Sequence, residues 1–91
     1  MKARKKPILV GAYKTPETMV GFARIDKKEV PSWVMFAWRE ETIQFHWHEI
    51  RVETLEGPMV YPYGYVLIKG VDGEIYGCDP EIFEKTYDIV E

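Results

Sequence analysis

The chain has 91 residues, of which 46% are hydrophobic, 14% aromatic and 30% charged, and its formal net charge is −3. This length predicts one domain, residues 1–91, built on a single core, and the composition excludes a disordered chain. Cys78 is the one cysteine, which excludes an internal disulfide. No apolar run reaches the roughly 18–20 residues that span a bilayer. We therefore expect a cytoplasmic protein with no membrane partner.

The charges are unevenly placed along the chain. Residues 72–91 hold seven acidic side chains and one basic side chain, Lys85, whereas four basic residues lie in the first six positions: Lys2, Arg4, Lys5 and Lys6. This basic cluster is either an arm that contacts phosphate or a solvated strand entrance that discourages edge pairing. Because nothing else in the chain extends a basic footprint, we do not expect a nucleic-acid partner.

The first half of the chain predicts strands and one short helix. Residues 8–13 are apolar on both faces, as in a central strand. Thr15 and Pro16 suit the start of a helix that ends near residue 24. Large residues on both faces predict a strand over 33–38. Residues 43–54 alternate in polarity, which predicts one longer strand with His46 and His48 on the same face.

The second half predicts a meander that ends in a helix. Strand residues at 59–61 and 66–68 flank an interruption at 61–64, and Asp72-Gly73 is a hairpin signal before a returning strand at 74–78. Asp79 and Pro80 start the last helix. The predicted fold is α+β: a small antiparallel sheet of about five strands, with a short helix after the first strand and a C-terminal helix packed on one face.

No residue pattern in the chain implies a reaction. His46 and His48 are too few to hold zinc without a third ligand. Cys78 has acidic neighbours that oppose thiolate formation, so we expect a packed, inert thiol. We therefore expect neither an enzyme nor a cofactor nor a metal site, and a metal-assisted hydrolase through His46 and His48 stays a third alternative.

The aromatic residues give the more informative signal, because nine of the thirteen fall between Trp33 and Tyr76. One modest core cannot hold them all, and aromatic rings are favoured where proteins contact partners. Stacking of a base or another planar ligand is one alternative, and a homodimer interface or tight internal packing is the other. The candidate partner-binding or ligand-binding residues are Trp33, Trp38, His46, Trp47, His48, Arg51, Tyr61, Tyr63 and Tyr65.

Several segments resemble a family of small phage and prophage proteins of PGDYG type. They are Arg-Lys-Lys-Pro-Ile at 4–8, Thr-Leu-Glu-Gly-Pro-Met at 54–59, Ile-Lys-Gly-Val-Asp-Gly-Glu-Ile-Tyr at 68–76 and Pro-Glu-Ile-Phe-Glu-Lys-Thr-Tyr at 80–87. The middle of the chain, about 15–50, matches only in outline. The Gly-Asp of the family signature is Gly64-Tyr65 here, and its aromatic residue is Val66. The resemblance implies a phage-encoded cytosolic protein and no established activity.

These observations lead to a hypothesis of a non-enzymatic, phage-encoded or prophage-encoded binding protein. It would act on a host protein or sequester a small nucleotide-like signal in the host cytoplasm, as in counter-defence. The alternative is a self-assembling structural or accessory phage protein, for which a homo-oligomer is expected.

Overall fold

The computed structural model describes residues 1–3, 9–17 and 27–90. In chain order its elements are β1 (Gly11–Lys14), α1 (Ser32–Arg39), β2 (Ile43–Phe45), β3 (Ile50–Thr54), β4 (Gly57–Tyr61), β5 (Val66–Lys69), β6 (Ile75–Cys78) and α2 (Pro80–Thr86).

Six strands form two separate antiparallel sheets. The first sheet has the order β1-β5-β6, and the second has the order β2-β3-β4. The predicted α+β fold with a single sheet of about five strands is therefore wrong: the described part of the chain is mostly β, with two three-stranded sheets and little helix. The strands are short, and consecutive strands pair within one sheet only where a tight turn joins them.

The predicted strand at 33–38 is also wrong, because these residues lie in α1. Val30, Val34 and Ala37, spaced by four and three residues, are all buried. Val34 and Ala37 lie on one face of α1, which packs against β2, whereas Val30 lies two residues before the helix begins. The aromatic residues between these positions hid the pattern, since they are as typical of strands as of a short buried helix.

The predicted strand at 43–54 is a hairpin instead of one continuous strand. β2 pairs with β3 in the register Ile43 with Val52 and Phe45 with Ile50. The chain reverses at residues 46–49, where the His46 N–H donates to the Glu49 carbonyl at 2.9 Å. His46 and His48 consequently do not share a strand face.

Two further predictions fall at least partly outside the described residues. Arg4, Lys5 and Lys6 of the basic cluster lie outside them, as do residues 18–24 of the predicted first helix. Thr15, expected to cap that helix, is buried and joins two segments of the fold. Its hydroxyl donates to the Tyr65 carbonyl at 2.7 Å and accepts from the Gly64 N–H at 3.0 Å.

One core lies between the two sheets and α1. Its buried residues lie in α1, in the segment before it, and in strands β2, β3 and β5. They are Val30, Val34, Ala37, Ile43, Ile50, Val52 and Leu67. Glycines allow the closest approaches. A Cβ at Gly77 in β6 would lie 2.6 Å from the Tyr61 ring of β4, and a Cβ at Gly11 in β1 would lie 2.8 Å from the Trp33 indole nitrogen. The two sheets and the helix are therefore packed together through ring-on-backbone contacts.

The second face of the first sheet is covered by α2 and the residues that follow it. Val66 and Ile68 of β5 are buried although neither belongs to the central core. Asp79 caps α2 by accepting from the Glu81 and Ile82 N–H groups, as its sequence predicts. The Tyr76 and Tyr87 hydroxyls, 3.3 Å apart, join the sheet to the end of the helix. No helix within the described residues has the length and apolar character needed to cross a membrane.

Candidate functional site

The tip of the β2–β3 hairpin carries the most prominent aromatic side chain. The bond between His46 and Glu49 leaves Trp47 and His48 as a two-residue turn. Trp47 is 65% exposed, and its ring meets the His48 ring edge to face at 6.1 Å. A tryptophan so exposed has no part in the core, and its position at a turn directs it away from the sheet.

An open groove lies beside this hairpin, between β2 and the end of α1. Its volume is about 550 Å³, and its lining residues are Trp38, Arg39, Glu41, Ile43, Gln44, Phe45 and His46. Ile43 is fully buried, whereas Trp38 is 38% exposed. We call Trp38, Phe45, His46 and Trp47 the aromatic surface, because they run from this groove to the hairpin tip.

The polar groups around the aromatic surface are of both signs. Arg39 lies in the groove with Glu41, and Glu49 closes the hairpin turn. The His46 ring Nε2 lies 2.9 Å from Gln44 Oε1, which fixes the orientation of the imidazole. This mixture favours a partner that brings its own polar groups over a ligand that carries one strong charge.

The candidate residues separate into two groups by position. Trp38, His46, Trp47 and His48 lie on or beside the aromatic surface, and Arg51 lies on strand β3 in an ion pair with Glu53 at 3.0 Å. The remaining candidates, Trp33, Tyr61, Tyr63 and Tyr65, are all partly buried. Sequence reasoning missed Gln44 and Phe45 as groove residues, because they are neighbours of the candidates only once α1 and β2 are in place.

The partly buried tyrosines support the fold around the site. The Tyr63 hydroxyl donates to the His46 carbonyl at 2.6 Å, and burial raises the pKa of this tyrosine. Tyr63 therefore braces the hairpin next to its turn. Tyr61 packs on Gly77 and lies 6.0 Å from the Tyr65 ring, measured between ring centres.

The described residues bring together no cluster of metal-binding side chains and no activated thiol. Across 1–3, 9–17 and 27–90, no three His, Cys, Asp or Glu side chains lie close enough to hold a metal ion. Burial, and then the charge of Asp79, raise the pKa of the Cys78 thiol. A thiol with a raised pKa is mostly protonated at neutral pH, which makes it a poor nucleophile.

A second concave surface lies on the opposite side of the first sheet. Two adjoining cavities of about 250 and 300 Å³ share Ala12, Phe83 and Ile89. We call this surface the C-terminal groove; its other lining residues are Leu9, Val10, Lys14, Val66, Pro80, Glu84, Tyr87, Asp88 and Val90. The sequence did not predict this surface, because the helical spacing of Ile89 and Val90 placed them in the last helix, whereas α2 ends at Thr86.

No protein-family model, curated protein or solved structure matches the chain. The resemblance to small phage proteins therefore stays a prediction, and the functional argument depends on the surfaces described above.

Proposed function

We propose that this chain is a non-enzymatic binding protein that acts on a host protein in the cytoplasm of a phage-infected or prophage-carrying cell. The exposure of Trp47 at the hairpin tip, beside the groove that contains Trp38, is the observation that carries this proposal. Tryptophan is the residue type most enriched among those that dominate binding energy at protein interfaces. The phage context rests on the sequence resemblance alone.

The shape and charge of the aromatic surface favour a protein partner. The groove is open along its length, whereas small-molecule sites bury most of their ligand. Trp47 stands at a turn, where it can enter a pocket of a partner. Glu41 lines the groove, so its carboxylate opposes the phosphate groups of a nucleotide.

A nucleotide-like signal is the second candidate, favoured by one observation. Trp38 and Arg39 line the same groove, and an indole with a neighbouring guanidinium is a combination that stacks planar bases. A thermal-shift screen with nucleotides tests it directly. A ligand present at about 100 times its dissociation constant adds about 2.7 kcal/mol to the free energy of unfolding.

The edge of β4 is a poor site for self-assembly through an added strand. The Glu53 N–H donates to the Thr42 carbonyl at 2.8 Å, so it points away from its β4 partner Pro58. Position 58 therefore faces outward from the sheet, where proline offers no N–H to a second chain. Val60 is the next position that faces outward. Two residues further on, position 62 is again a proline, which has no N–H group. An edge with so few donors is a poor template for strand addition.

The test compares two exposed hairpin tips. Trp47→Ala removes the proposed anchor, and Leu55→Ala removes an exposed apolar residue at the β3–β4 turn. Both variants should unfold at the temperature of the wild type, because neither side chain is buried. Tagged wild type and L55A should capture the same protein from host lysate, and W47A should not.

Titration of the purified partner then gives the magnitude. A tryptophan anchor contributes about 2 kcal/mol or more, so W47A should weaken binding by about 30-fold or more. Equal capture by all three baits would show that the hairpin tip is not the contact. A stabilising nucleotide whose effect is lost in Trp38→Ala would replace the host-protein proposal with the second candidate.

A further inference from the structure

Helix α1 ends at a residue in the left-handed conformation, Glu41, which has a φ of 63°. Its N–H donates to the Trp38 carbonyl at 3.1 Å, and the Thr42 N–H donates to the Ala37 carbonyl at 2.8 Å. These two bonds form a Schellman motif, in which the left-handed position is most often glycine. The Glu41 carbonyl belongs to the same planar peptide unit as the Thr42 N–H, so the end of the helix also fixes the direction of this carbonyl.

The Glu41 carbonyl determines which way the Gln44 side-chain amide faces. Gln44 Nε2 donates to this carbonyl at 3.4 Å, and Gln44 Oε1 lies 2.9 Å from His46 Nε2. The reverse orientation of the amide would place its oxygen against the carbonyl oxygen of Glu41. Gln44 therefore presents an oxygen, which can only accept a hydrogen bond, to His46.

This contact selects one tautomer of the His46 ring. Because Nε2 donates to Gln44 Oε1, the neutral imidazole carries its hydrogen on Nε2, and Nδ1 is an acceptor. The ring forms no other hydrogen bond within the part of the chain that the structure describes. His46 is exposed and lines the groove beside the hairpin. It therefore offers an oriented hydrogen-bond acceptor next to Trp47.

We propose that His46 Nδ1 accepts a hydrogen bond from an N–H or O–H group of the protein partner, and that Gln44 is the positioning residue that keeps this nitrogen free to accept. The inference rests on the function proposed above and adds a selective contact to the Trp47 anchor. An apolar contact discriminates weakly between similar partners, whereas an acceptor discriminates strongly against a partner that lacks the matching donor.

NMR of nitrogen-labelled imidazole rings tests the positioning step on the free protein. Neutral wild-type His46 should carry its hydrogen on Nε2, and Gln44→Leu should detectably populate the second tautomer because it removes the acceptor. His48 is the internal control: its ring contacts Trp47 edge to face and has no hydrogen bond among the described residues. The spectrum of His48 should be the same in both proteins. A hydrogen on Nδ1 of wild-type His46, or an unchanged His46 spectrum in Q44L, would overturn the positioning role.

Two substitutions of His46 separate the two ring nitrogens in binding. The amide of asparagine lies near the position of Nδ1, whereas the longer side chain of glutamine places its amide near that of Nε2. His46→Asn should therefore bind the partner captured by the wild type with nearly wild-type affinity, and His46→Gln should bind it about fivefold more weakly or worse. Both variants should unfold at the temperature of the wild type, because the side chain is exposed.

The outcomes separate this inference from the proposed function. Equal affinity of H46Q and the wild type would overturn the inference. Equal weakening in H46N and H46Q would also overturn it, because the loss would then not depend on an acceptor at Nδ1. Either result leaves the proposed function intact if W47A abolishes binding. Capture of the partner by W47A as by the wild type would contradict the proposed function itself.

Discussion

Thr15 is the one buried polar side chain among the described residues, and it shows how much one hydroxyl can organise. It joins the end of β1 to the turn before β5 through Gly64 and Tyr65, about fifty residues away along the chain. Gly64 has a φ of 94°, a left-handed conformation that glycine adopts without strain. The Thr15 hydroxyl therefore accepts a hydrogen bond from the Gly64 N–H group, whose direction is set by the left-handed conformation of that glycine.

Thr15→Val should destabilise the protein by about 1–3 kcal/mol, because it leaves the buried Gly64 N–H without an acceptor. Thr15→Ser is the matched variant, since it keeps the hydroxyl and removes one methyl group worth about 0.8 kcal/mol. Urea denaturation measures both. A T15V stability equal to that of the wild type would mean that this hydroxyl does not satisfy the turn.

At the scale of elements, α2 is attached to the first sheet mainly by rings at its C-terminal end. None of its residues is buried, although Val66 of β5 lines the same cavity as Pro80 and Phe83 of the helix. The hydrogen bond with Tyr87, followed by burial, raises the pKa of Tyr76 to about 12. The Tyr76–Tyr87 contact therefore reports whether the helix is docked.

This raised pKa has a defined consequence for stability at high pH. A group that holds its proton more tightly when folded contributes stability that is fully present below its unfolded pKa, near 10. That contribution should be lost as pH rises from about 10 through about 12. Tyr87→Phe removes the main cause, so the pKa of Tyr76 should fall toward its ordinary value. NMR titration of labelled tyrosine rings measures the change.

Tyr65→Phe is the control for this titration, because the Tyr65 ring packs beside Tyr61 on another part of the molecule. It should leave the pKa of Tyr76 unchanged. An unchanged Tyr76 pKa in Tyr87→Phe would show that the two hydroxyls do not interact.

The sequence predicted the elements whose local signals are strong. The Asp79-Pro80 helix start, the turn at 71–73 and the interruption at 61–64 depend on capping, glycine and proline, whose backbone preferences act within a few residues. The tip at Trp47 and His48 has none of these signals, and the prediction of a continuous strand failed there. Helix α1 likewise ends without glycine, with Glu41 at a φ of 63°.

The candidate site residues also divide into features that the sequence predicted and features that depend on tertiary packing. The sequence predicted that some of the rings lie outside the core, because there are more rings than one core of this size can hold. Which rings would turn inward could not be predicted, because the space for Trp33 and Tyr61 is created by Gly11 and Gly77 on distant strands. Such pairs exist only after the two sheets have come together.

At the scale of the whole molecule, the two sheets should unfold as one unit, because they share a core. Gly77→Ala tests this: its Cβ would meet the Tyr61 ring at 2.6 Å, so overpacking should cost about 1–3 kcal/mol. Although the change is in the first sheet, circular dichroism and tryptophan fluorescence should report one shifted transition. Adding Tyr61→Leu should recover part of the loss. Separate transitions for the two probes would show that the sheets fold independently.

The brace between Tyr63 and His46 has a kinetic consequence for any partner that takes up Trp47. One backbone hydrogen bond closes this two-residue turn, and the Tyr63 hydroxyl supports it. The turn therefore has little conformational freedom to lose on association. The anchor is thus presented in its bound shape before contact, and binding needs no prior loop rearrangement. The association rate constant should then be that of rigid-body docking, about 10⁵–10⁷ M⁻¹s⁻¹.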